Sequence, residues 1–347
     1  MAAARTISVN TSWTSTDFLT AAEQYYRGRL HCTGGLRRLC IVSVMSGRQI
    51  SPAFAVAATS NRNLYASMHG FTACHTKFAA PNGRDPGWSK YLVVAALLRS
   101  CGVVMWMDAD AVFSGAQSME PLLALIDQGR EVLVAGGLNS RCRLPSDAFE
   151  IDHAYWQDVR RSDASQLGPT NNGVFLMRSG HFAAAALQAL YGPPRGSTER
   201  KWLKANSIGV TADNQAMNNW LRKLASSPSP FAQHLRSLIG FVDRRAFNCG
   251  PSQFTRRFAG GCRVLHAPGV TFNGGSRSTY YRTKYDLLQH LLMRCATRWL
   301  GLGGNASARA ASIGGRLLST LGEECRRQVC RFSHYGCREP SCGTVSR

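Results

Sequence analysis

Apolar runs of strand length alternate with helical segments along the first third of the chain. Leu39–Val44 and Val103–Met107 are continuous apolar runs, and residues 71–77 are predicted to form another strand. Residues 61–68 and 88–100 have the apolar spacing of helices and lie between these runs. A short run that is apolar on both faces is typical of an internal parallel strand. The alternation therefore predicts an α/β domain with a mostly parallel sheet.

The pattern continues further along the chain and then stops. Strands are predicted at residues 131–136 and 173–177, and helices at 181–190 and 213–224. After residue 298 the chain becomes rich in Gly, Ala and Ser, which is typical of a linker. The predicted organisation has three parts: a polar lead-in with one helix near residues 15–29 (1–35), the α/β domain (36–295), and a Gly/Ala-rich linker with a cysteine-containing tail (296–347).

The net charge raises the question of a nucleic-acid partner. The chain has 41 Lys+Arg against 20 Asp+Glu, a formal net charge of +21, which favours phosphate-bearing or polyanionic ligands. A basic, non-enzymatic nucleic-acid-binding protein is therefore one alternative. Such a protein needs aromatic residues interleaved with basic ones, or a recognised module, and the sequence shows neither. We therefore expect no nucleic-acid partner.

Membrane insertion and secretion leave no signal in this sequence. The longest apolar stretch covers residues 91–98, whereas a membrane-spanning helix needs about 20 apolar residues. The first 17 residues have no apolar segment of the kind found in signal peptides. From the sequence we therefore expect neither a membrane span nor a signal peptide.

Twelve cysteines fall into two groups. Eight are dispersed between residues 32 and 295, mostly in apolar surroundings such as those of Cys40, where buried free thiols are expected. The last four lie in the tail with His334 among them, at a spacing that lacks the C-x2-C pairs of ordinary zinc modules. A tail that is disulfide-linked or disordered is therefore favoured over a zinc site.

The strand Val103–Met107 leads directly into Asp108-Ala109-Asp110. Residues i and i+2 of an extended chain point to the same side, and the carboxyl ends of parallel strands are where α/β sheets bind ligands. Two close carboxylates repel each other unless a cation lies between them, and their oxygens suit Mg²⁺ or Mn²⁺. The alternative is a helix-capping aspartate with an exposed neighbour. The preceding apolar strand favours the metal site.

Five segments occur in order along the chain: WSK at 88–90, MWMDADAVF at 105–113, NNGVFLMR at 171–178, ADNQA at 212–216 and VLHAPG at 264–269. Together they resemble glycosyltransferase family 34, which includes α-galactosyltransferases and xyloglucan xylosyltransferases, and the resemblance covers about residues 36–292. It implies a GT-A (Rossmann-like) α/β fold with a mixed, mostly parallel sheet flanked by helices. It also implies a retaining, UDP-sugar-dependent enzyme that transfers galactose or xylose with an α linkage. A GT-A enzyme of another family, with a different nucleotide-sugar donor, is the nearest alternative.

The same resemblance implies a set of site residues. The metal, Mn²⁺ with Mg²⁺ as the alternative, is bound by Asp108, Asp110 and His266, and the catalytic residues are Asp213 and Gln215. Donor-binding residues are Lys90, Asp108, Asp110, Asn171, Asn172, Gly173 and Asn214. Arg277 and Arg282 are candidates for neutralising the diphosphate, and the segment 248–250 resembles one near the acceptor.

Several of these residues have a plainer interpretation. His266 could be an ordinary histidine at a strand end, and Asp213 could cap its helix. The 171–173 segment could be a turn. Lys90 could either reach a phosphate or extend into solvent from a helix face. Asn214 departs from the commoner family pattern, which has two acids before the glutamine, and an amide supplies no negative charge.

The resemblance also implies the partners and the compartment. The expected acceptor is an oligosaccharide, a polysaccharide or a glycoprotein. Family members are Golgi type II membrane proteins, so Golgi localisation is expected, and a homodimer is compatible with the resemblance.

Overall fold

The computed structural model describes residues 14–34, 38–46, 52–80, 86–113, 117–136, 150–151, 155–162, 170–191, 212–248 and 263–266. The strands are β1 (His31–Gly34), β2 (Leu39–Val44), β3 (Thr72–Thr76), β4 (Val103–Met107), β5 (Ala111–Phe113), β6 (Val132–Gly136), β7 (Glu150–Ile151), β8 (Asn171–Arg178), β9 (Ile239–Asp243) and β10 (Val264–His266). The helices are α1 (Ser15–Tyr26), α2 (Pro52–His69), α3 (Ser89–Leu97), α4 (Glu120–Asp127), α5 (Tyr155–Arg161), α6 (His181–Tyr191), α7 (Ala212–Ser226), α8 (Pro230–Ser237) and α9 (Arg244–Phe247). A 3-10 turn, Pro86–Trp88, precedes α3.

Eight of the strands form one mixed sheet in the order β1-β3-β2-β4-β8-β6-β9-β7. Strands β2, β3, β4, β6 and β9 run in one direction, whereas β1, β7 and β8 run in the opposite direction. The remaining strands, β5 and β10, form a separate antiparallel pair. The prediction of an α/β fold with a mixed, mostly parallel sheet flanked by helices is confirmed. The reversal of β8 in the middle of the sheet was not predicted.

Each face of the sheet buries a separate apolar cluster, because successive strand residues point to opposite sides. On one face Val42 and Trp106 pack with residues of α1, α3 and α6, including Phe18. On the other face Met105 packs with residues of α2 and α4, including Tyr65. Helix α3 therefore reaches the end of β4 from one side of the sheet and α2 reaches it from the other.

The predicted elements match the described ones in position more often than in length. Strand β4 has the predicted bounds, and α2 begins at Pro52 rather than at residue 61. Helix α1 ends at Tyr26 instead of residue 29, and its start is fixed by a capping box between Thr14 and Asp17. In the predicted lead-in, α1 buries Phe18 and Tyr26 in the core, and β1 forms an edge of the sheet. The domain boundaries themselves stay predictions.

Two disulfides correct the expectation of buried free thiols. Cys32 on β1 lies opposite Cys74 on β3 in the antiparallel register, and these two residues are bonded. Cys40 on β2 is bonded to Cys101, which precedes β4, with a Cα–Cα distance of 6.0 Å. The apolar context of Cys40 correctly indicated burial but gave no information on pairing, which depends on contacts distant in sequence. The other eight cysteines lie outside the described residues.

No helix in the part of the chain that the structure describes is both long enough and apolar enough to span a membrane.

Candidate active site

Asp108, Asp110 and His266 lie together at the carboxyl end of β4. Asp108 follows β4 directly, and Asp110 precedes β5. Strand β10 pairs antiparallel with β5 so that His266 lies opposite Ala111, which brings the histidine to the two aspartates. His266 Nε2 is 3.2 Å from Asp110 Oδ1 and 3.6 Å from Asp108 Oδ2. One ligand atom from each residue lies within 4.8 Å of the others, so this cluster could bind a metal ion.

Gly173 packs directly against the imidazole of His266. A Cβ atom at position 173 would lie 1.9 Å from His266 Cε1 and 2.5 Å from Nδ1. The carbonyl oxygen of Gly173 also accepts a hydrogen bond from the backbone N–H of Asp108, at 2.7 Å. Gly173 was predicted to contact the donor. Its described contacts show a packing requirement as well, since any side chain would displace His266.

Two asparagines connect His266 to strand β8. Asn248 Nδ2 lies 3.1 Å from Asn171 Oδ1, and Asn248 Oδ1 lies 2.9 Å from His266 Nδ1. Asn171 Oδ1 also accepts the backbone N–H of Gly173, at 2.8 Å. Asn248 and His266 are both buried. The sequence resemblance placed Asn248 near the acceptor, whereas its described side-chain contacts are with the metal-site histidine and with β8.

Lys90 lies between two carboxylates in the interior. Its side chain is only 2% exposed, and Nζ is 2.6 Å from Asp213 Oδ2 and 3.2 Å from Asp108 Oδ1. Burial by itself lowers the pKa of Lys90, but the two carboxylates outweigh this effect and raise the pKa to about 12. The interpretation of Lys90 as a solvent-exposed residue on a helix face is therefore wrong. Its ammonium group joins the predicted metal site to the predicted catalytic acid.

Asp213, Asn214 and Gln215 form the buried start of helix α7. Asn214 Oδ1 accepts the backbone N–H of Asn172 at 2.9 Å, and Asn172 Nδ2 lies 3.3 Å from Asp213 Oδ2. Asn172 Nδ2 is also 2.9 Å from the hydroxyl of Tyr91, which donates to the carbonyl oxygen of Asp213. The two predicted groups, on β8 and α7, are therefore brought together by direct hydrogen bonds.

Arg62 hydrogen-bonds to the backbone of the turn that carries Asp108 and Asp110, and it was not identified from the sequence. Its guanidinium Nη2 donates to the backbone carbonyls of Asp108 at 2.7 Å and Ala111 at 2.8 Å, with a longer bond to Ala109 at 3.3 Å. Burial lowers the pKa of Arg62 to about 9, with the nearby aspartates opposing the shift, so it remains a cation at neutral pH.

A signal for Arg62 is present in the sequence of α2. Ala58, Arg62, Tyr65 and Ala66 share the spacing of one helix face, and all four are buried. A single arginine on an apolar helix face needs a buried partner, which here is the turn that carries the aspartates.

The electrostatics of the cluster suit a divalent cation. Partial burial, together with Asp110 and Asp213, raises the pKa of Asp108 against the opposing effects of Lys90 and His266. A further hydrogen bond from Trp106 Nε1 to Asp108 Oδ1, at 2.7 Å, fixes the carboxylate. Two carboxylate oxygens with one imidazole nitrogen are an acceptable donor set for Mn²⁺ or Mg²⁺.

All the predicted site residues from Lys90 to His266 lie in the described part of the chain. Hydrogen bonds and ion pairs connect them, and Gln215 lies next to Asn214 in the first turn of α7. Arg277, Arg282 and residues 249–250 lie outside the described residues.

The chain is similar to known proteins in structure but matches none of them by sequence family. No family model and no curated protein matches the sequence. Among solved structures, a glycosyltransferase involved in the glycosylation of the major capsid of PBCV-1 is similar at 12% identity and a TM-score of 0.47, covering 73% of this chain and 98% of its own. Mouse xyloside xylosyltransferase 1 in its apo form is similar at 10% identity and a TM-score of 0.35, covering 66% of this chain and 97% of its own.

Proposed function

We propose that this chain is a metal-dependent retaining glycosyltransferase that moves galactose or xylose from a UDP-sugar to a glycan acceptor with an α linkage. The observation that carries the proposal is the Asp108–Asp110–His266 cluster at the carboxyl end of β4, joined through Lys90 to Asp213. The sequence resemblance to glycosyltransferase family 34 supplies the donor and the linkage.

The proposed metal ion is Mn²⁺, with Mg²⁺ as the alternative, bound by Asp108, Asp110 and His266. When bound, the ion would neutralise charge on the diphosphate leaving group and help to orient it. Arg62 fixes the backbone that carries both aspartates, and Gly173 and Asn248 contact the ring of the histidine. These contacts support the proposal because metal ligands need partners that hold their orientation.

In the proposed reaction the bond between the sugar C1 and the diphosphate oxygen breaks, and a bond from C1 to an acceptor oxygen forms on the same face. The proton of the acceptor hydroxyl passes to the leaving diphosphate oxygen. Asp213 supplies negative charge beside the developing oxocarbenium ion, as carboxylates do in glycosidases. Lys90 holds this carboxylate in place through the ion pair at 2.6 Å. Gln215, in the same first turn of α7, is proposed to orient the sugar.

Calorimetric binding of UDP tests the proposal. Wild type and Asp110→Asn are titrated with UDP in the presence and absence of Mn²⁺. Asp127→Asn is the matched control, since Asp127 is an exposed residue of α4 whose side chain pairs with Arg38. We expect metal-dependent binding in wild type and control, and its loss in Asp110→Asn.

Two results would redirect this interpretation. Absence of UDP binding in wild type with Mn²⁺ would refute a UDP-sugar site. If wild type binds UDP, a panel of nucleotide-sugar donors is tested next. Hydrolysis or transfer of a sugar other than galactose or xylose would favour a glycosyltransferase of another family.

We also propose that the protein works in the lumen of the Golgi on an oligosaccharide, polysaccharide or glycoprotein acceptor. The Cys32–Cys74 and Cys40–Cys101 disulfides support an oxidising compartment, because such bonds form and persist there. Alkylation of the protein as isolated from cells, followed by mass spectrometry, should find these four cysteines protected. Free thiols at these positions would contradict the assignment.

A further inference from the structure

We propose that Asn248 is a positioning residue that keeps the side-chain proton of neutral His266 on Nδ1 and so leaves Nε2 available to a metal ion. This inference rests on the proposed metal site, and it concerns residues that sequence analysis assigned to donor or acceptor binding. It follows from three consecutive hydrogen bonds. The donor and acceptor of the first are fixed by a backbone amide, and they determine the donor and acceptor of the second and then of the third.

The deduction begins at a backbone amide, whose role as a donor is fixed. The N–H of Gly173 points at the side chain of Asn171 at 2.8 Å, so the Asn171 atom at that position must be the acceptor, Oδ1. The orientation of the Asn171 amide is therefore determined by the main chain.

Asn248 is oriented by the same oxygen. Because Asn171 Oδ1 only accepts, the Asn248 atom 3.1 Å from it must be the donor, Nδ2. The backbone carbonyl oxygen of Asn171 lies 3.5 Å from the same nitrogen and favours the same orientation. The other end of the Asn248 amide, which faces His266, is therefore its oxygen.

The proton position on His266 follows. Asn248 Oδ1 is 2.9 Å from His266 Nδ1, and a carbonyl oxygen cannot donate, so Nδ1 carries the proton in this hydrogen bond. In the neutral ring Nε2 then holds a lone pair. Nε2 is the nitrogen that lies 3.2 Å from Asp110 and 3.6 Å from Asp108, where the metal site is proposed.

Because Asn248 and His266 are both buried, water cannot take the place of the Asn248 side-chain amide as the hydrogen-bond acceptor of His266. Asn248 is 1% exposed and His266 is 2% exposed, so bulk water cannot replace the hydrogen bond. Gly173 packs against the ring nearest Cε1, while Asn171 acts through Asn248 on Nδ1. One short segment of β8 therefore sets both the position and the tautomer of the histidine.

The tautomer can be read directly by ¹⁵N NMR of the histidine side chains in the metal-free full-length protein, at a pH where the ring is neutral. His266→Gln assigns the resonances. We expect a protonated, pyrrole-type Nδ1 and an unprotonated, pyridine-type Nε2 in wild type. A neutral His266 with the proton on Nε2 would overturn the proposal.

Variants of Asn248 test the consequence for metal binding by Mn²⁺ titration. Asn248→Leu removes the acceptor, and we expect a 10- to 100-fold weaker Mn²⁺ affinity, as is usual when a partner of a metal ligand is lost. Asn248→Asp keeps an acceptor for Nδ1–H, so it should retain the wild-type tautomer and bind Mn²⁺ more tightly than Asn248→Leu. Equal Mn²⁺ affinity in wild type and a folded Asn248→Leu would refute the positioning role.

Asn218→Leu is the matched control. Asn218 is equally buried and hydrogen-bonds to Thr170 and to the carbonyl of Asn214, but the hydrogen bonds described for it do not reach His266. We expect it to lower stability and to leave the Mn²⁺ affinity and the His266 tautomer unchanged. A loss of Mn²⁺ affinity in this control equal to that in Asn248→Leu would refute a specific role for Asn248.

The NMR measurement separates this inference from the proposed function, because it needs neither metal nor substrate. Wild type without UDP binding but with the Nδ1–H tautomer would refute the proposed function and support the inference. Normal UDP binding with the Nε2–H tautomer would do the reverse.

Discussion

Replacement of Gly173 by alanine should displace His266, a proposed metal ligand, without straining the backbone. Gly173 is not among the described glycines with positive φ, so its backbone conformation is open to alanine. The new Cβ, however, would lie 1.9 Å from His266 Cε1. Because carbon atoms pack at about 3.5 Å, the ring must move by about 1.5 Å. Metal-ligand distances vary by only about 0.2 Å, so His266 would be lost as a ligand.

The effect on stability can be estimated for the metal-free protein. Overpacking a buried site costs about 1 to 3 kcal/mol of unfolding free energy. Alanine in place of glycine within a strand otherwise gains about 0.5 to 1 kcal/mol. In a His266→Ala background the ring is absent, so only the gain remains. The gain is common to both backgrounds, so the coupling equals the overpacking cost, about 1 to 3 kcal/mol, and it should favour the double variant.

Urea unfolding of the wild type, both single variants and the double variant measures this coupling as a double-mutant cycle. Mn²⁺ titration of the same proteins should find Gly173→Ala as weak as His266→Ala. Stability changes that add to within about 0.5 kcal/mol would refute the reasoning on packing. Wild-type Mn²⁺ affinity in Gly173→Ala would refute the reasoning on the ligand.

Three further predictions concern buried charged or titratable groups. Arg62→Met should lower the unfolding free energy in urea by about 3 kcal/mol, because carbonyls of the Asp108 turn lose their buried donor. Lys90→Met should cost about 3 to 5 kcal/mol at neutral pH, because it removes the ammonium group that pairs with both Asp213 and Asp108. The difference in unfolding free energy from wild type should shrink in acid, where the carboxylates become protonated. Burial, with a smaller effect of Arg62, lowers the pKa of His75 from 6.5 to about 3. Between pH 6.5 and pH 3 the imidazole of His75 is therefore protonated in the unfolded chain but not in the folded one, so the unfolding free energy falls as the pH falls. His75→Gln should therefore flatten the fall in unfolding free energy below pH 6.5 by about 1.4 kcal/mol per pH unit, and an unchanged slope would contradict the assignment.

The sequence predicts the strands of this fold better than their directions. Val103–Met107 has the expected bounds because a continuous apolar run between Gly102 and Asp108 can be satisfied only by burial on both faces. The reversal of β8 leaves no mark in its apolar pattern, since a buried strand is apolar whichever way it runs. The disulfide partners were equally hidden, because the pairing of Cys40 with Cys101 depends on tertiary contacts across 61 residues.

The candidate site divides in the same way. Residues that could bind a metal or a sugar were visible from their chemistry and from the family resemblance. The residues that hold them were not, since Arg62 and Asn248 act through hydrogen bonds to partners far away in sequence. Gly173 was identified as a donor contact, which stays a prediction. Its packing against His266 could not be predicted, because that contact depends on the position of β10.

The arrangement of buried charge explains how this site can fold before a metal ion binds. Asp108, Asp110 and Asp213 bring three negative charges together, and unpaired buried carboxylates are strongly unfavourable. Lys90 from α3 pairs with Asp108 and Asp213 directly, and Arg62 from α2 lies beneath the turn on the other face of the sheet. Among the described residues, two positive charges against three negative ones leave one negative charge unbalanced in this cluster, and Asp110 Oδ1 lies 3.2 Å from His266 Nε2. The fold therefore tolerates the metal-free cluster, and the charge that it leaves unbalanced lies where a divalent cation would bind.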